Sequence, residues 1–201
     1  MHWKSLEHIV GPIILGSGSP RREELFKRLF ENFTVMSTDE ELSQQCGDAV
    51  DFVMRNALFK ASRIYENHSE TVKHGSLFTF DTVVTYENKI LGKPCDLDEA
   101  RSMLIELRAK SHQVVTSYCL FDFSKGAVIL NSYSSTTVKF RDYSDSELDD
   151  YLRCQESLDK AGAYGIQGYG SMLVERIEGC YFNVVGLPVV ALFQDLQKIV
   201  T

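Results

Sequence analysis

The segment that most constrains the fold is a strand-like triplet that runs straight into a glycine turn and a helix start. Ile13-Ile14-Leu15 is apolar and suits a short buried strand. Gly16-Ser17-Gly18 then turns the chain. Ser19 stands where a helix cap belongs, and Pro20 at the first helical position, where a missing N–H costs nothing. Leu25, Phe26, Leu29 and Phe30 give that helix an apolar face. Strand, turn and helix in this order open an α/β fold, and the rest of the chain keeps alternating.

A second helix is predicted over residues 49–65, where Val50, Val53, Met54, Ala57, Ala61 and Ile64 recur at helical spacing. Thr79 to Tyr86 reads as a strand, with Glu87-Asn88 turning into Lys89-Ile90-Leu91. Asp96 caps a helix carrying Ala100, Met103, Leu104 and Leu107. His112–Phe121 and Val128–Phe140 are expected as long antiparallel strands around Lys125-Gly126. Ser144 and Glu147 form a capping box. Met172–Ile177 and Tyr181–Val185 are expected as a further hairpin, and Pro188 opens the last helix. His68 to Ser76 is polar enough for a mobile loop, but no stretch reads as a linker, so residues 1–201 are expected to form a single domain.

Charge narrows the partners. The chain carries 21 Lys and Arg against 28 Asp and Glu, a net charge of −7, which disfavours a nucleic-acid backbone as partner. A small anion remains possible where cations cluster locally. The five cysteines make no C-x-x-C pair and the five histidines show no metal spacing, which fits a reducing compartment without a zinc site. The apolar run from Ile9 to Leu15 is broken by Gly11 and Pro12, too short for a signal peptide or membrane span. The default expectation is a cytoplasmic protein with no membrane partner.

Four runs look unlike ordinary packing. In Gly16-Ser17-Gly18-Ser19-Pro20-Arg21-Arg22, the free N–H groups and dipole of a helix start point at an anion site, with two arginines in the first turn; the other reading is a solvated helix start with the arginines facing water. Cations in a first turn cost about 0.3–1 kcal/mol each unless an anion answers them. In Phe78-Thr79-Phe80-Asp81-Thr82-Val83-Val84, a carboxylate interrupts an apolar strand; it either meets a cation or metal, or marks an edge strand facing water. Gly92-Lys93-Pro94 offers a point charge on a tight loop. Asp159 to Gly168 combines small residues with Gln167, which can both donate to and accept from a nucleobase. Lys60 lies at the edge of its helix's apolar stripe, and Glu40-Glu41 forms an acidic pair able to hold Mg²⁺ or to sit in solvent. Cations, amide loops and a few carboxylates are the parts that metal-assisted phosphate chemistry uses.

In order along the chain, Leu15–Leu25, Asp81–Val84, Leu91–Pro94, Ser111–Thr116, Asp159–Gly168 and Val185–Pro188 resemble the motifs of the Maf family of nucleotide pyrophosphatases. The resemblance implies an α/β fold like that of inosine triphosphate pyrophosphatases: a long mixed twisted sheet flanked by helices, in two lobes around a central cleft. It implies hydrolysis of nucleoside triphosphates to monophosphate and pyrophosphate with a divalent cation, Mg²⁺ or Mn²⁺, in a homodimer. The Lys160–Gly168 run is similar to the subgroup preferring dTTP and UTP, including modified uridine nucleotides. Asp81 then matches the general base and a metal ligand. Ser17, Arg21 and Arg22 match the phosphate-binding helix start, and Lys60 and Lys93 match lysines that neutralise the triphosphate. Glu41, or Glu40 one residue away, matches a metal-linked glutamate. Thr82 and Gln167 match positions near phosphates or base. Two departures stand out. Thr79-Phe80 replaces the family's usual small pair before the aspartate, and Gly16 replaces a more usual alanine, a change expected to be mild. The alternatives are a nucleotide-binding regulator of cell division without turnover, or a pyrophosphatase for another modified nucleotide, which Phe80 would signal.

Overall fold

The computed structural model describes Leu6, Ile9 and residues 11–43 and 48–199; His2, His8 and Cys46 lie outside these. The described strands are β1 (Ile13–Gly16), β2 (Thr34–Val35), β3 (Ser76–Tyr86), β4 (Lys89–Leu91), β5 (Ser111–Asp122), β6 (Ala127–Phe140) and β7 (Val174–Glu178). The α-helices are α1 (Pro20–Phe26), α2 (Ala49–His68), α3 (Leu97–Leu107), α4 (Asp145–Arg153), α5 (Tyr181–Val185) and α6 (Val189–Lys198).

All seven strands join one mixed sheet in the order β2-β1-β3-β5-β6-β7, with β4 on β3. β1 runs parallel to β2 and β3, and every other pairing is antiparallel. The pairing of β3 decides where a site can form. On one side β5 follows it from Ser76 to Thr85. On the other, β1 covers Ser76–Thr79 and β4 covers Val84–Tyr86. Among the described residues no strand pairs with residues 80–83 on that side, and the sheet is split there. The glycine turn after β1 opens into the gap.

Helices cover both faces. α2 packs Ala57, Ala61 and Ile64 against Leu77, Cys119 and Phe121. On the opposite face Phe26, Phe30, Leu192 and Leu196 of α1, its following turn and α6 pack on Phe78, Phe80 and Tyr118. A separate cluster of α3 and α4 residues with Val114, Val138 and Phe140 fills the far end of the long strands. The two ends are the two lobes, joined through β3, β5 and β6.

The caps behave as their sequences require. Asp96 accepts the Glu99 N–H, and Ser144 and Glu147 close a complete capping box. Ser19 occupies the N-cap of α1 without a side-chain bond. α2 runs three residues beyond its expected end, and Val72 N–H returns to the His68 carbonyl, bracing the turn that follows.

Two expectations are corrected. Tyr181–Val185 is a helix, not the second strand of a hairpin, and Met172 lies in a 3₁₀ turn before β7. After Glu178 the chain leaves the sheet at Gly179, whose φ is 130°, and crosses over β5 and β6. Buried there, Asn183 donates to the Val114 carbonyl and to Thr136 Oγ1. Tertiary contacts thus outweigh the strand preference of its β-branched and aromatic neighbours. Gly16 is also not a mild change. A Cβ at residue 16 would come within 2.5 Å of Thr79 Cγ2, its register partner. Thr79 Oγ1 in turn donates to the Ala57 carbonyl at 2.7 Å. Gly16 and Thr79 are therefore two halves of one packing solution.

Candidate active site

The split in the sheet opens onto a cleft of about 1050 Å³, bordered by the turn after β1, residues 37–42, β3, the Gly92-Lys93 loop and the loop from Glu156 to Gly168. It is large enough for a nucleotide. Ser17, Arg21, Arg22, Glu41, Lys60, Asp81, Thr82, Lys93 and Gln167 all border it, so the residues singled out from the sequence converge on one space.

Consecutive residues of β3 point to opposite faces, and Asp81 and Thr82 serve different partners. Asp81 faces α2. Its Oδ1 takes a 2.7 Å bond from Lys60 Nζ, and both residues are buried. The reading of Asp81 as a solvent-facing edge residue is thereby excluded. Its second oxygen, Oδ2, is buried without a hydrogen-bond partner. Lys60 Nζ also lies 2.9 Å from Glu41 Oε1. Burial alone would raise the Glu41 carboxyl, but the Lys60 ammonium, then Lys93 and Arg22, hold it below the usual glutamate value. Glu40 turns away to pair with Arg63. Of the two acidic neighbours, Glu41 is the one in the cleft.

On the opposite face Arg22 is held from three sides. Its Nε donates to the Gly186 carbonyl at 2.8 Å, Nη2 to Thr82 Oγ1 at 2.9 Å and Nη1 to Ser17 Oγ at 3.3 Å. Burial lowers the guanidinium from its ordinary value, with the Asp81 charge opposing. Phe80 packs on this face too: its ring is fully buried against Phe26, beneath the guanidinium. Its bulk therefore supports Arg22 from behind. The arginine next door, Arg21, pairs with Asp159 at 3.1 Å, bridging α1 to the glycine-rich loop.

The loop itself is braced. Lys160 Nζ donates to the Glu156 carbonyl and to Asp159 Oδ1, both at 2.6 Å, while Glu156 Oε2 accepts the Tyr169 N–H. Gln167 follows within this brace. Lys93 is more than half exposed and 3.9 Å from Glu41, so it stands at the mouth.

Three further polar residues support the site: Asn56 and Asn183, which sequence reasoning missed, and Thr116, which it met only as the end of a motif. Asn56 is buried, and its Oδ1 accepts the Leu42 N–H at 3.1 Å, tying down the segment that carries Glu41. Thr116 and Asn183 are buried behind Thr82. The available signal was a polar side chain within an apolar stripe, as at Asn56 between Val53 and Ala57.

Relatives are similar along most of the chain. A protein of Bacillus cereus (strain G9842) named dTTP/UTP pyrophosphatase is 42% identical over 187 residues, covering 92% of this chain and 94% of the relative. Proteins of the same name from Clostridioides difficile (strain 630) and Pyrococcus furiosus are also 42% identical, with the same coverage. A solved structure, the nucleoside-triphosphatase / dITP/XTP pyrophosphatase of Mycobacterium abscessus, covers 65% of this chain and 74% of its own at 16% identity. Its TM-score is 0.41. The model of the Maf-like protein family matches residues 12–199, and the chain belongs to the Maf family.

Proposed function

We propose that this cleft hydrolyses dTTP and UTP, and the triphosphates of modified uridines, to the nucleoside monophosphate and pyrophosphate. The observation that carries the chemistry is Asp81, a buried carboxylate with one oxygen on Lys60 and the other unpartnered, placed where the sheet is split. Asp81 takes a proton from water as the water oxygen attacks phosphorus. The phosphoanhydride between the α and β phosphorus breaks, and its electron pair leaves with the departing phosphate oxygen. Arg22, Arg21, Lys60 and Lys93 neutralise the triphosphate, and the turn at Ser17 offers N–H groups to it. Gln167, on the cleft wall, is assigned to the base, since its amide can both donate and accept. The choice of dTTP and UTP rests on the names of the relatives and on the Lys160–Gly168 run.

A divalent cation, Mg²⁺ or Mn²⁺, fits these residues. Asp81 Oδ2 is an orphaned buried acceptor, and Glu41 shares the same lysine. Glu41 would hold the ion together with one lone pair of Asp81 Oδ2, leaving the other lone pair for the proton, and the ion would neutralise phosphate oxygens. Among the described residues no group of three or more His, Cys, Asp or Glu could hold a metal by itself. A homodimer in the cytoplasm completes the proposal. Among the described residues no helix is long and apolar enough to cross a membrane.

The test is pyrophosphate release across a panel of nucleoside triphosphates, with and without Mg²⁺. Activity confined to dTTP, UTP and close relatives, and lost without the metal, is expected. Equal activity on purine triphosphates would overturn the substrate assignment. Tight binding without product would leave a nucleotide-binding protein.

A further inference from the structure

Behind Arg22 runs a chain of hydrogen bonds whose direction is fixed at both ends. A guanidinium can only donate, and a backbone carbonyl can only accept. Arg22 Nη2 lies 2.9 Å from Thr82 Oγ1, Thr82 Oγ1 lies 2.9 Å from Thr116 Oγ1, and Thr116 Oγ1 donates to the Asn183 carbonyl at 3.0 Å. Each hydroxyl has one proton. Thr116 spends its own on Asn183, so the shared proton between the threonines comes from Thr82. The order is therefore Arg22 to Thr82 to Thr116 to Asn183. Asn183 is anchored through its side chain to Val114 O and Thr136 Oγ1. Thr116 and Asn183 are buried in the sheet and the crossing helix α5.

Two consequences follow. With its proton turned toward Thr116, the Thr82 hydroxyl has none to offer a phosphate oxygen. And a guanidinium has five N–H donors, of which Arg22 spends three on Gly186, Ser17 and Thr82, so its remaining donors are aimed by these anchors. We propose that Thr116 is a positioning residue, acting through Thr82 to hold Arg22 in the orientation that receives the triphosphate. Aligned hydroxyls beside a cation polarise one another, which stiffens the chain. The proposal rests on Arg22 as a phosphate ligand, as in the function proposed above.

The experiment measures binding of inorganic tripolyphosphate by calorimetry, alongside dTTP turnover, for Thr116→Val and Thr116→Ser in the wild-type and Arg22→Lys backgrounds. Valine keeps the shape and removes the hydroxyl; serine keeps the hydroxyl; lysine keeps the charge and removes the fork that reaches Thr82. Thr116→Val is expected to weaken tripolyphosphate binding and kcat/KM about tenfold, Thr116→Ser to restore both to within about threefold, and the valine effect to fall below about twofold in Arg22→Lys. An equal loss in both backgrounds, no rescue by serine, or no loss at all would overturn the proposal. Thr116→Ala takes the place of valine if that variant does not fold. Should the wild type fail to turn over dTTP, the catalytic reading fails, and the binding cycle still decides the role of Thr116.

Discussion

The two faces of the sheet beneath the cleft use neighbouring residues of one strand in opposite ways. On the α2 face Asp81, Lys60 and Glu41 form a group of charges in which each ion is answered by another. On the α1 face Arg22 is held by a carbonyl and two hydroxyls, and among the described residues no carboxylate is hydrogen-bonded to it. The difference teaches what each face can do. Asp81 keeps one oxygen without a hydrogen-bond partner, and the proposed base role uses that oxygen. Arg22 is oriented by neutral groups, so no bonded carboxylate takes up the donors that would meet an incoming anion. A carboxylate bonded to Arg22 would fix its position equally well and remove much of its attraction for phosphate.

The largest expected effects separate the faces. Asp81→Asn should lower kcat by about 10²–10⁴, the usual contribution of a general base, with KM within a fewfold of wild type. Arg22→Lys should act the other way, raising KM more than it lowers kcat, since a point charge cannot replace the fork. Steady-state kinetics on both variants checks the split, and the same pattern from both would erase the distinction.

A second test works from behind both faces. His112 is buried, its Nε2 lies 2.8 Å from the Tyr164 hydroxyl, and Tyr164 borders the cleft. Burial lowers the His112 value from 6.5 to about 4. Between these values the unfolded chain binds a proton that the native chain does not, so stability rises with pH. The contribution is complete above about pH 6.5 and is lost as pH falls to about 4, amounting to about 3 kcal/mol. Denaturant unfolding from pH 4 to 7 should show this slope, and His112→Gln should flatten it. An unchanged slope in the variant would assign the dependence elsewhere.

Smaller still is the packing pair under the α2 face. Gly16→Ala should cost about 1–3 kcal/mol by overpacking against Thr79. Adding Thr79→Ser, which removes the obstructing methyl and keeps the hydroxyl, should recover part of it. Additive losses in the melting of the double variant would contradict the steric link. The finest test concerns Glu41 alone. Lys60→Met should raise the Glu41 carboxyl from its depressed value, because the first of its stabilising charges is gone. Carbon-detected NMR titration reads the shift; no rise would break the charge group into independent residues.

Much of this arrangement was legible in the chain itself. The apolar flanks of Asp81 already argued for a buried carboxylate that needs a cation, and Lys60 on the edge of its stripe was within reach. Capping signals placed the starts of α3 and α4. What could not be read depended on contacts distant in sequence. Glu40 and Glu41 differ only in which side of a loop faces Lys60 and which faces Arg63. Tyr181–Val185 has the composition of a strand, yet it folds as a helix because Asn183 has partners on β5 and β6. Thr82 looked like a substrate contact, whereas the direction of its hydrogen bond emerges only once Thr116 and Asn183 stand behind it.

The central claim is that this cleft cleaves a nucleoside triphosphate between its α and β phosphorus through Asp81. Phosphorus NMR of dTTP incubated with Mg²⁺ and the wild-type protein, beside Asp81→Asn, tests it most directly. Signals of dTMP and pyrophosphate should grow together in the wild type and be nearly absent in the variant. Orthophosphate with dTDP, or equal rates in the two proteins, would contradict it.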